Sequence, residues 1–396
     1  MVQPDLNFDR YFSDLNKLRN LLASRGVEGV DVATLSSSYD KWKRLKVSEE
    51  KLRVACERLP EGASTGETLE QSHGKLKQVR GQLKEFDVLV KTVQQLPNDL
   101  DAATPVGDRK RLLRFIGGKN ELLCDHGELL SQKGWLVVKG EPYQSFLVGR
   151  SCDLLSRLEQ YVLGIFARSG FSLISPPHLV RAAVVRTGAA FSDSHLSLQT
   201  SSCDGTDDRN LCLVGHSVFP YLGLFTRRSL SERMHPPVKL VSTGNTYSSD
   251  LQDSSFDVDL FSVHQSRALT AFVILDCAKS LLATTACLLD LIEKILVDLH
   301  IQANMWQVPS KNLATAESAR IDVSVRSHKA VEQCLATVSN FGDYLSRKLR
   351  MMCRPDTYMQ CLYMEINLHR LLAAVIEHWW SLKNCDELPS VLGQFN

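Results

Sequence analysis

The side chains best suited to nucleophilic or metal chemistry are 11 cysteines and 11 histidines, and their spacing builds no centre. The cysteines run from Cys56 to Cys385 with no CxxC pair and no Cys/His group at zinc spacing. An odd, scattered set fits free thiols in a reducing compartment. His216, His235, His264, His369 and His378 show no metal spacing, and structural histidines are expected at each. Cys203, Asp204, Asp207 and Asp208 make a short acidic loop that lacks the terminal glutamate of a calcium site. Gly117–Gly118–Lys119 lacks the upstream glycine and the hydroxyl of a phosphate loop. GxGxxG and GxSxG are absent, which argues against a Rossmann domain or a serine-hydrolase elbow. Trp379–Trp380 reads as a core or interface pair. No cofactor and no metal is expected from these residues.

The clearest candidate chemistry is electrostatic. Lys43, Arg44, Lys46, Lys77, Arg80 and Lys84 belong to two basic stretches in which acids are fewer. Such a rod can track the phosphate backbone of an RNA; the alternative is a solvated helix face. Two helices must carry these cations. Trp42, Leu45, Leu52, Cys56 and Leu59 alternate at three- and four-residue steps, with Glu49 the one polar interruption. Leu69, Leu76, Val79, Leu83, Phe86, Val90 and Val93 continue such a heptad seam after the Pro60, Gly62 and Gly66 turn. The pattern predicts a long antiparallel helical hairpin, a coiled-coil arm over residues 1–105. The stretch 96–110, LPNDLDAATPVGDRK, reads as a linker to a core over 106–396.

The 396 residues are 44% apolar with a net charge of +1, enough for a large buried core in about two or three domains. No charge-free apolar stretch reaches membrane-spanning length, so no membrane contact is expected. The start, MVQPDLNFDRYF, lacks a signal-peptide core and is no Arg-rich presequence. In the core, 148–168 predicts a long helix, followed by a turn at Gly170 and a strand FSLIS ending at Pro176–Pro177. Val238–Gly244, 257–265 and 321–327 alternate like strands. The apolar run 268–297 reads as one or two buried helices, and a further helix begins near His369. Antiparallel strands with interleaved helices give an α+β class, an antiparallel sheet flanked by helices.

In that order, the segments resemble a seryl-tRNA synthetase, a class II aminoacyl-tRNA synthetase, over nearly the whole chain. The family's first motif, a helix and a strand ending in proline that builds its dimer interface, is matched by Leu155–Arg168 and by Phe171, Pro176 and Pro177. The resemblance then places chemically altered residues at the family's reactive positions. A substrate-reading glutamate falls on Val218. The phosphate-holding arginine of the second motif falls on Ser248 and the adenine-reading glutamate on Asp250. A returning-strand arginine falls on Ser262 and a later acid on Thr270. A metal-supporting glutamate falls on Cys334, with Glu332 two residues earlier as the one candidate substitute. Asn340 and Arg370 match, the latter a phosphate-binding arginine whose expected structural role is pairing with an acid. Met364–His369 replace the small residues before it.

A serine cannot supply a bidentate cation to phosphate, and a neutral thiol is no ligand for a hard cation. The resemblance therefore implies a non-catalytic paralogue with no small-molecule substrate. It implies a mitochondrial matrix protein of mitochondrial translation, paired as a heterodimer with the mitochondrial seryl-tRNA synthetase and supporting its aminoacylation. It also implies contact with mitochondrial tRNA-Ser or another RNA through the arm. The competing expectations are an active synthetase with a rearranged ATP and serine site, and an RNA-binding scaffold.

Overall fold

A computed structural model of the chain describes residues 8–58, 66–118, 122, 124–139, 144–188, 196–198, 210–230, 234–247, 259–383 and 390–393. It contains two compact units, Leu6–Pro97 and one that holds Asn98–Asn396. In the first, α1 (Asp9–Phe12) and α2 (Leu15–Arg25) lead into the long α3 (Val32–Arg58), α4 (Gly66–Glu85) and α5 (Asp87–Gln94). Local chemistry sets the boundaries. Asp14 Oδ1 accepts from the amides of Asn16 and Lys17 at the start of α2, and Gly26, at φ 68°, ends it. Asp31 caps α3 in the same way.

The seam follows the heptads. Trp42, Leu76, Leu83 and Val93 are buried, Leu45, Leu52 and Val79 are half-buried, and flanking residues such as Lys41, Arg53, Lys75 and Gln82 are exposed. Phe12, Tyr39 and Trp42 stack in sequence, with centroids 4.7 and 5.7 Å apart, and lock the start of α3. Glu49, the polar interruption, bridges the two helices: Lys46 donates to it at 2.9 Å and Arg80 at 3.1 Å. Lys43 is held by Asp9 at 2.7 Å. Three of the cations expected to face phosphate are thus paired with carboxylates inside the unit. Arg44, Lys77 and Lys84 are exposed and have no acidic partner among the described residues.

The stretch expected as a linker is bonded to the second unit from Asn98 onward. Asn98 Nδ2 donates to the carbonyls of Ala316 and Phe341 at 2.9 and 2.8 Å, and Thr104 Oγ1 to that of Ser318 at 2.9 Å. Its Pro and Gly residues shape a fixed strap rather than a free tether.

Beyond the strap come β1 (Arg111–Ile116), α6 (His126–Gln132), the hairpin β2 (Leu136–Lys139) and β3 (Gln144–Leu147), and α7 (Arg150–Arg168). Gly170, at φ 82°, then turns the chain into β4 (Ser172–Leu173), shorter than the predicted FSLIS strand. A small sheet of β5 (Leu179–Arg181), β6 (Leu196–Leu198) and β7 (Leu211–Leu213) carries α8 (Ala182–Gly188) and leads to α9 (Val218–Phe225). Next are β8 (Val238–Tyr247), β9 (Gln265–Leu275), α10 (Leu281–Asp298), β10 (Ala303–Gln307), β11 (Ala319–Arg326) and β12 (Glu332–Gly342). After α11 (Tyr344–Leu349) and the ribbon β13 (Met352–Arg354) and β14 (Thr357–Tyr358), the chain ends in β15 (Gln360–Asn367) and α12 (Leu368–Lys383).

Eight strands form the main sheet in the order β1-β10-β11-β12-β15-β9-β8-β4, antiparallel except for the β8–β4 pair. Two predicted elements differ. Residues 259–264 are not a strand, which begins only at Gln265; and 268–275, read as helix, is most of β9 and runs to its end. Ala268, Leu269, Ala271, Phe272, Val273 and Ile274 are buried, because helices cover one face of β9 and α9 packs on the other. A strand covered on both faces loses its alternation and cannot be told from a buried helix by pattern.

Alternation across the sheet sorts its faces. Val241, Leu269, Ala271, Met364, Ile366, Ala336, Val338 and Val323 point into a core shared with α7, α10 and α12. The opposite face carries a polar row in register: Asp322 beside Thr337, Glu365, Thr270 and Ser242.

Candidate functional site

The polar face is where β8, β9, β12 and β15 can present side chains to a ligand. One end of it holds a cavity of about 220 Å³ lined by Thr246, Tyr247, Ser266, Cys334, Thr337, Glu365, Asn367 and Arg370. The sequence positions these groups simply. Asn367 ends β15, and its Oδ1 accepts from the Arg370 amide at 3.0 Å, the bond of a helix N-cap. That cap starts α12 and sets Arg370 on its first turn.

Arg370 was expected to pair with an acid. Its Nε instead donates to the Phe261 carbonyl at 2.9 Å and its Nη1 to the Cys334 carbonyl at 2.8 Å. The guanidinium therefore staples the 259–261 segment to β12. Glu365 also lines the cavity. Burial pushes its pKa above the usual carboxylate value, although the Tyr363 hydroxyl donates to it at 2.8 Å and Arg370 lies near. Burial likewise pushes the Cys334 thiol up to about 12, helped by Asp322, so it is neutral and no nucleophile. Glu332 does not reach the cavity. Its carboxylate is taken by Lys110 and by the Ser324 hydroxyl.

Beside the cavity the face is filled by the protein's own side chains. Tyr221 of α9 stacks on Phe272 at 5.3 Å, and its hydroxyl lies 2.6 Å from Ser242 Oγ and 2.9 Å from Thr270 Oγ1. Thr270, where the resemblance places an acid, is thus capped from inside. His216 follows Gly215, whose φ is 57°, and its amide donates to the Asn245 carbonyl at 2.8 Å. Its ring lies so flat on β8 that a Cβ on Gly244 would sit 1.9 to 2.6 Å from three ring atoms. Neither ring nitrogen has a hydrogen-bond partner among the described residues. Burial, with His178 and Arg267 nearby, pushes its pKa down to about 4, so the ring is neutral near pH 7. A structural histidine, satisfied or exposed, was expected there; the ring is instead buried with both nitrogens unbonded among the described residues.

The other candidates scatter. Val218 is buried as the first residue of α9 and Ser262 is exposed. Asn340 is buried, accepts from the Gly342 amide at 2.9 Å and does not line the cavity, so the structure separates it from Arg370. Phe171 packs edge-on against Phe166 at 5.2 Å; Pro176 is buried and Pro177 exposed. Ser248, Asp250 and the Cys203–Asp208 loop lie outside the described residues. Among the described residues no cluster of three or more His, Cys, Asp or Glu could hold a metal. His369 and His378 are bonded to backbone, and the buried Trp379 stacks on the exposed His300 ring.

One cluster escaped the sequence reading. His126, buried on α6, has Nδ1 2.7 Å from Glu377 of α12 and Nε2 3.0 Å from Asp259. The Leu260 amide also lies 3.0 Å from Nε2, a contact that only a neutral ring could accept. Burial alone would lower the His126 pKa, but the bonds to Asp259 and Glu377 outweigh it and raise it to about 9. The three residues are 251 and more than a hundred positions apart in pairs, and no local spacing signals them.

No family model matches the chain. A serine–tRNA synthetase-like protein of Drosophila melanogaster, Slimp, is 24% identical over 413 residues, covering 98% of this chain and 88% of its own. Seryl-tRNA synthetase from Pyrococcus horikoshii, solved with ATP, superposes with a TM-score of 0.79 at 18% identity, over 98% of this chain and 97% of its own. Cytoplasmic serine–tRNA ligase from Naegleria fowleri, solved with AMP, gives 0.77 at 16% identity, over 99% and 96%. Giardia lamblia prolyl-tRNA synthetase with prolyl-adenylate gives 0.55 at 13%, over 63% of this chain and 51% of its own. Over almost its entire length the chain is similar in sequence to a seryl-tRNA synthetase-like protein, and its fold is that of the seryl-tRNA synthetases.

Proposed function

We propose that this chain is a non-catalytic seryl-tRNA synthetase-like subunit. It pairs with the catalytically complete mitochondrial seryl-tRNA synthetase in the matrix, supports its aminoacylation and touches tRNA-Ser through its helical hairpin. The observation that carries the reading is Arg370. Two of its five N–H donors go to backbone carbonyls and fix the guanidinium against the protein, and the neighbouring Glu365 would oppose a phosphate. A single missing charge-stabilising donor typically costs about 2.7–4 kcal/mol of transition-state binding, or roughly two to three decades in rate. The face beside it is filled by Tyr221 and His216, which leaves little room for an amino acid next to a nucleotide. A fold kept without its reaction is best explained by association, and a two-fold interface is the usual means.

Two measurements test this. Light scattering after size exclusion should show a one-to-one complex with the mitochondrial synthetase. Pyrophosphate exchange with serine and ATP should stay at the level of a protein-free control. Lack of any complex would overturn the partnership; exchange that disappears in Arg370→Ala would instead establish an active, rearranged synthetase.

A further inference from the structure

Two distant stretches of the unit that holds Asn98–Asn396 meet at its surface and bring their arginines together. The segment after α9 runs alongside the one after α11. The Arg227 amide donates to the Leu349 carbonyl at 2.8 Å, and the Met352 amide to the Arg228 carbonyl at 2.9 Å. The Leu230 amide returns to the Met352 carbonyl at 2.9 Å. Ser229 and Met352 thus form a parallel bridge, and chains joined in this way lie roughly 5 Å apart. Arg227, Arg228 and Arg350 are exposed on these segments and meet no carboxylate among the described residues.

The surrounding charge does not offset them. In the stretches 218–230 and 343–358 the acids are Asp343 and Asp356. Asp343 is bonded to Arg347 at 2.8 Å, and Asp276, in the turn after β9, to Arg354 at 3.1 Å. Asp356 alone remains on these stretches against three arginines. The backbone adds a second observation. Arg227 and Arg350 are both left-handed, at φ 56° and 51°, and each follows a helix. Glycine is the usual residue for that turn, and a side chain there is strained. Two such arginines side by side point to a use for their guanidinium groups.

The outer edge suits an extended chain. In the bridge, Arg228 and Leu230 make the bonds to Met352, so the N–H and carbonyl of Ser229 face the other way. Ser229 is exposed, and no backbone group takes either atom among the described residues. A nucleic acid would seek an open aromatic to stack on. Here Tyr344 is buried, and Tyr358 lies 4.7 Å beneath the Arg347 guanidinium.

We propose that this face docks an acidic, extended peptide segment of a protein partner. Its carboxylates take the guanidinium forks of Arg227, Arg228 and Arg350, and its backbone pairs with Ser229. The site lies outside both the hairpin and the cavity at Arg370, and its test needs neither a synthetase nor a serine tRNA. Fluorescence anisotropy of the full chain is measured with a fluorescein-labelled peptide of alternating glutamate and threonine. The wild type should bind it, and should bind the glutamine counterpart about tenfold more weakly or less. An exposed ion pair is worth at most about fivefold in affinity. R227Q/R228Q/R350Q should therefore lose roughly tenfold or more. K41Q/K51Q/K75Q removes the same charge from exposed hairpin positions and should bind as wild type.

R227G/R350G separates use from support. Glycine suits the left-handed turns, so the melting temperature should hold or rise while the peptide binds severalfold more weakly. A lowered melting temperature with unchanged affinity would assign both arginines to the helix dipoles of α9 and α11 and overturn the proposal. Equal losses in the two triple variants would reduce the binding to net charge and overturn it as well. Polyuridylate, or vesicles of phosphatidylglycerol, bound through these arginines more tightly than the peptide would place RNA or a membrane there instead.

Discussion

Replacing Glu377 by alanine should destabilise the core unit by about 3–5 kcal/mol, the usual cost of stripping one partner from a buried ion pair. Glu377 is 2% exposed, and its second oxygen accepts from the His328 amide at 2.8 Å. Removing it leaves His126 buried against Asp259 alone. The effect should depend on pH. His126 titrates near 9 in the folded protein, against about 6.5 in an unfolded chain. The folded state therefore holds the proton more tightly. The clamp's contribution is complete below about pH 6.5 and is lost as pH rises through about 9, with an amplitude on the order of 2–3 kcal/mol. Urea unfolding at pH 6.5 and 9.5 reads both quantities. Glu377→Gln should retain shape and hydrogen bonding and fall between wild type and alanine. A loss under about 1 kcal/mol for the alanine variant, or an alkaline limb that persists unchanged in His126→Gln, would show that the contact is not an ion pair of this strength.

The clamp reaches the cavity. Asp259 accepts from the Phe261 amide at 2.8 Å, and His126 packs edge-on against the Phe261 ring at 5.0 Å. The Phe261 carbonyl is what Arg370 holds. Loosening α6 should therefore free one arm of the guanidinium, so ATP-induced thermal shifts deserve measurement in Glu377→Gln beside wild type. No shift is expected in either, because the Cys334 carbonyl and Glu365 remain in place.

Much of the architecture was legible because it follows periodicity. The heptad seam, the long α7, the Gly170 turn and the start of α12 near His369 all depend on a few local residues acting along one element. β9 was misread because burial on both faces erases the two-residue rhythm that marks a strand. The strap at 98–107 was misread because Pro and Gly look alike in a tether and in a fixed turn. What separates them is Asn98 reaching carbonyls more than two hundred residues away. The site was legible as types of residue and not as partners. The resemblance singled out Arg370 and put a thiol, Cys334, where the family has an acid. It could not show that Arg370 binds carbonyls, or that Tyr221 and His216 occupy the face, because those contacts join α9, the segment before it and the sheet only in three dimensions.

Gly244→Ala tests that occupancy most directly. Gly244 lies mid-strand without a positive φ, so alanine suits its backbone and only space is at issue. The added carbon would sit 1.9 Å from His216 Cε1 and 2.1 Å from Nδ1, far inside contact distance. The ring must leave the sheet, and overpacking of this kind costs about 1–3 kcal/mol or more. His216→Ala alone should cost less, since it removes a ring whose nitrogens are unbonded as well as its packing. In the double variant the methyl enters space the imidazole has vacated, so the two losses should not add; a coupling of about 2 kcal/mol is expected. The acid limb offers an independent reading. His216 titrates near 4 when folded, below its unfolded value, so its burial weakens the fold as pH falls from about 6.5 towards 4. That limb should flatten in His216→Ala. Additive losses within about 0.5 kcal/mol would mean that the imidazole does not rest on β8, and the substrate side of the face would then stand open.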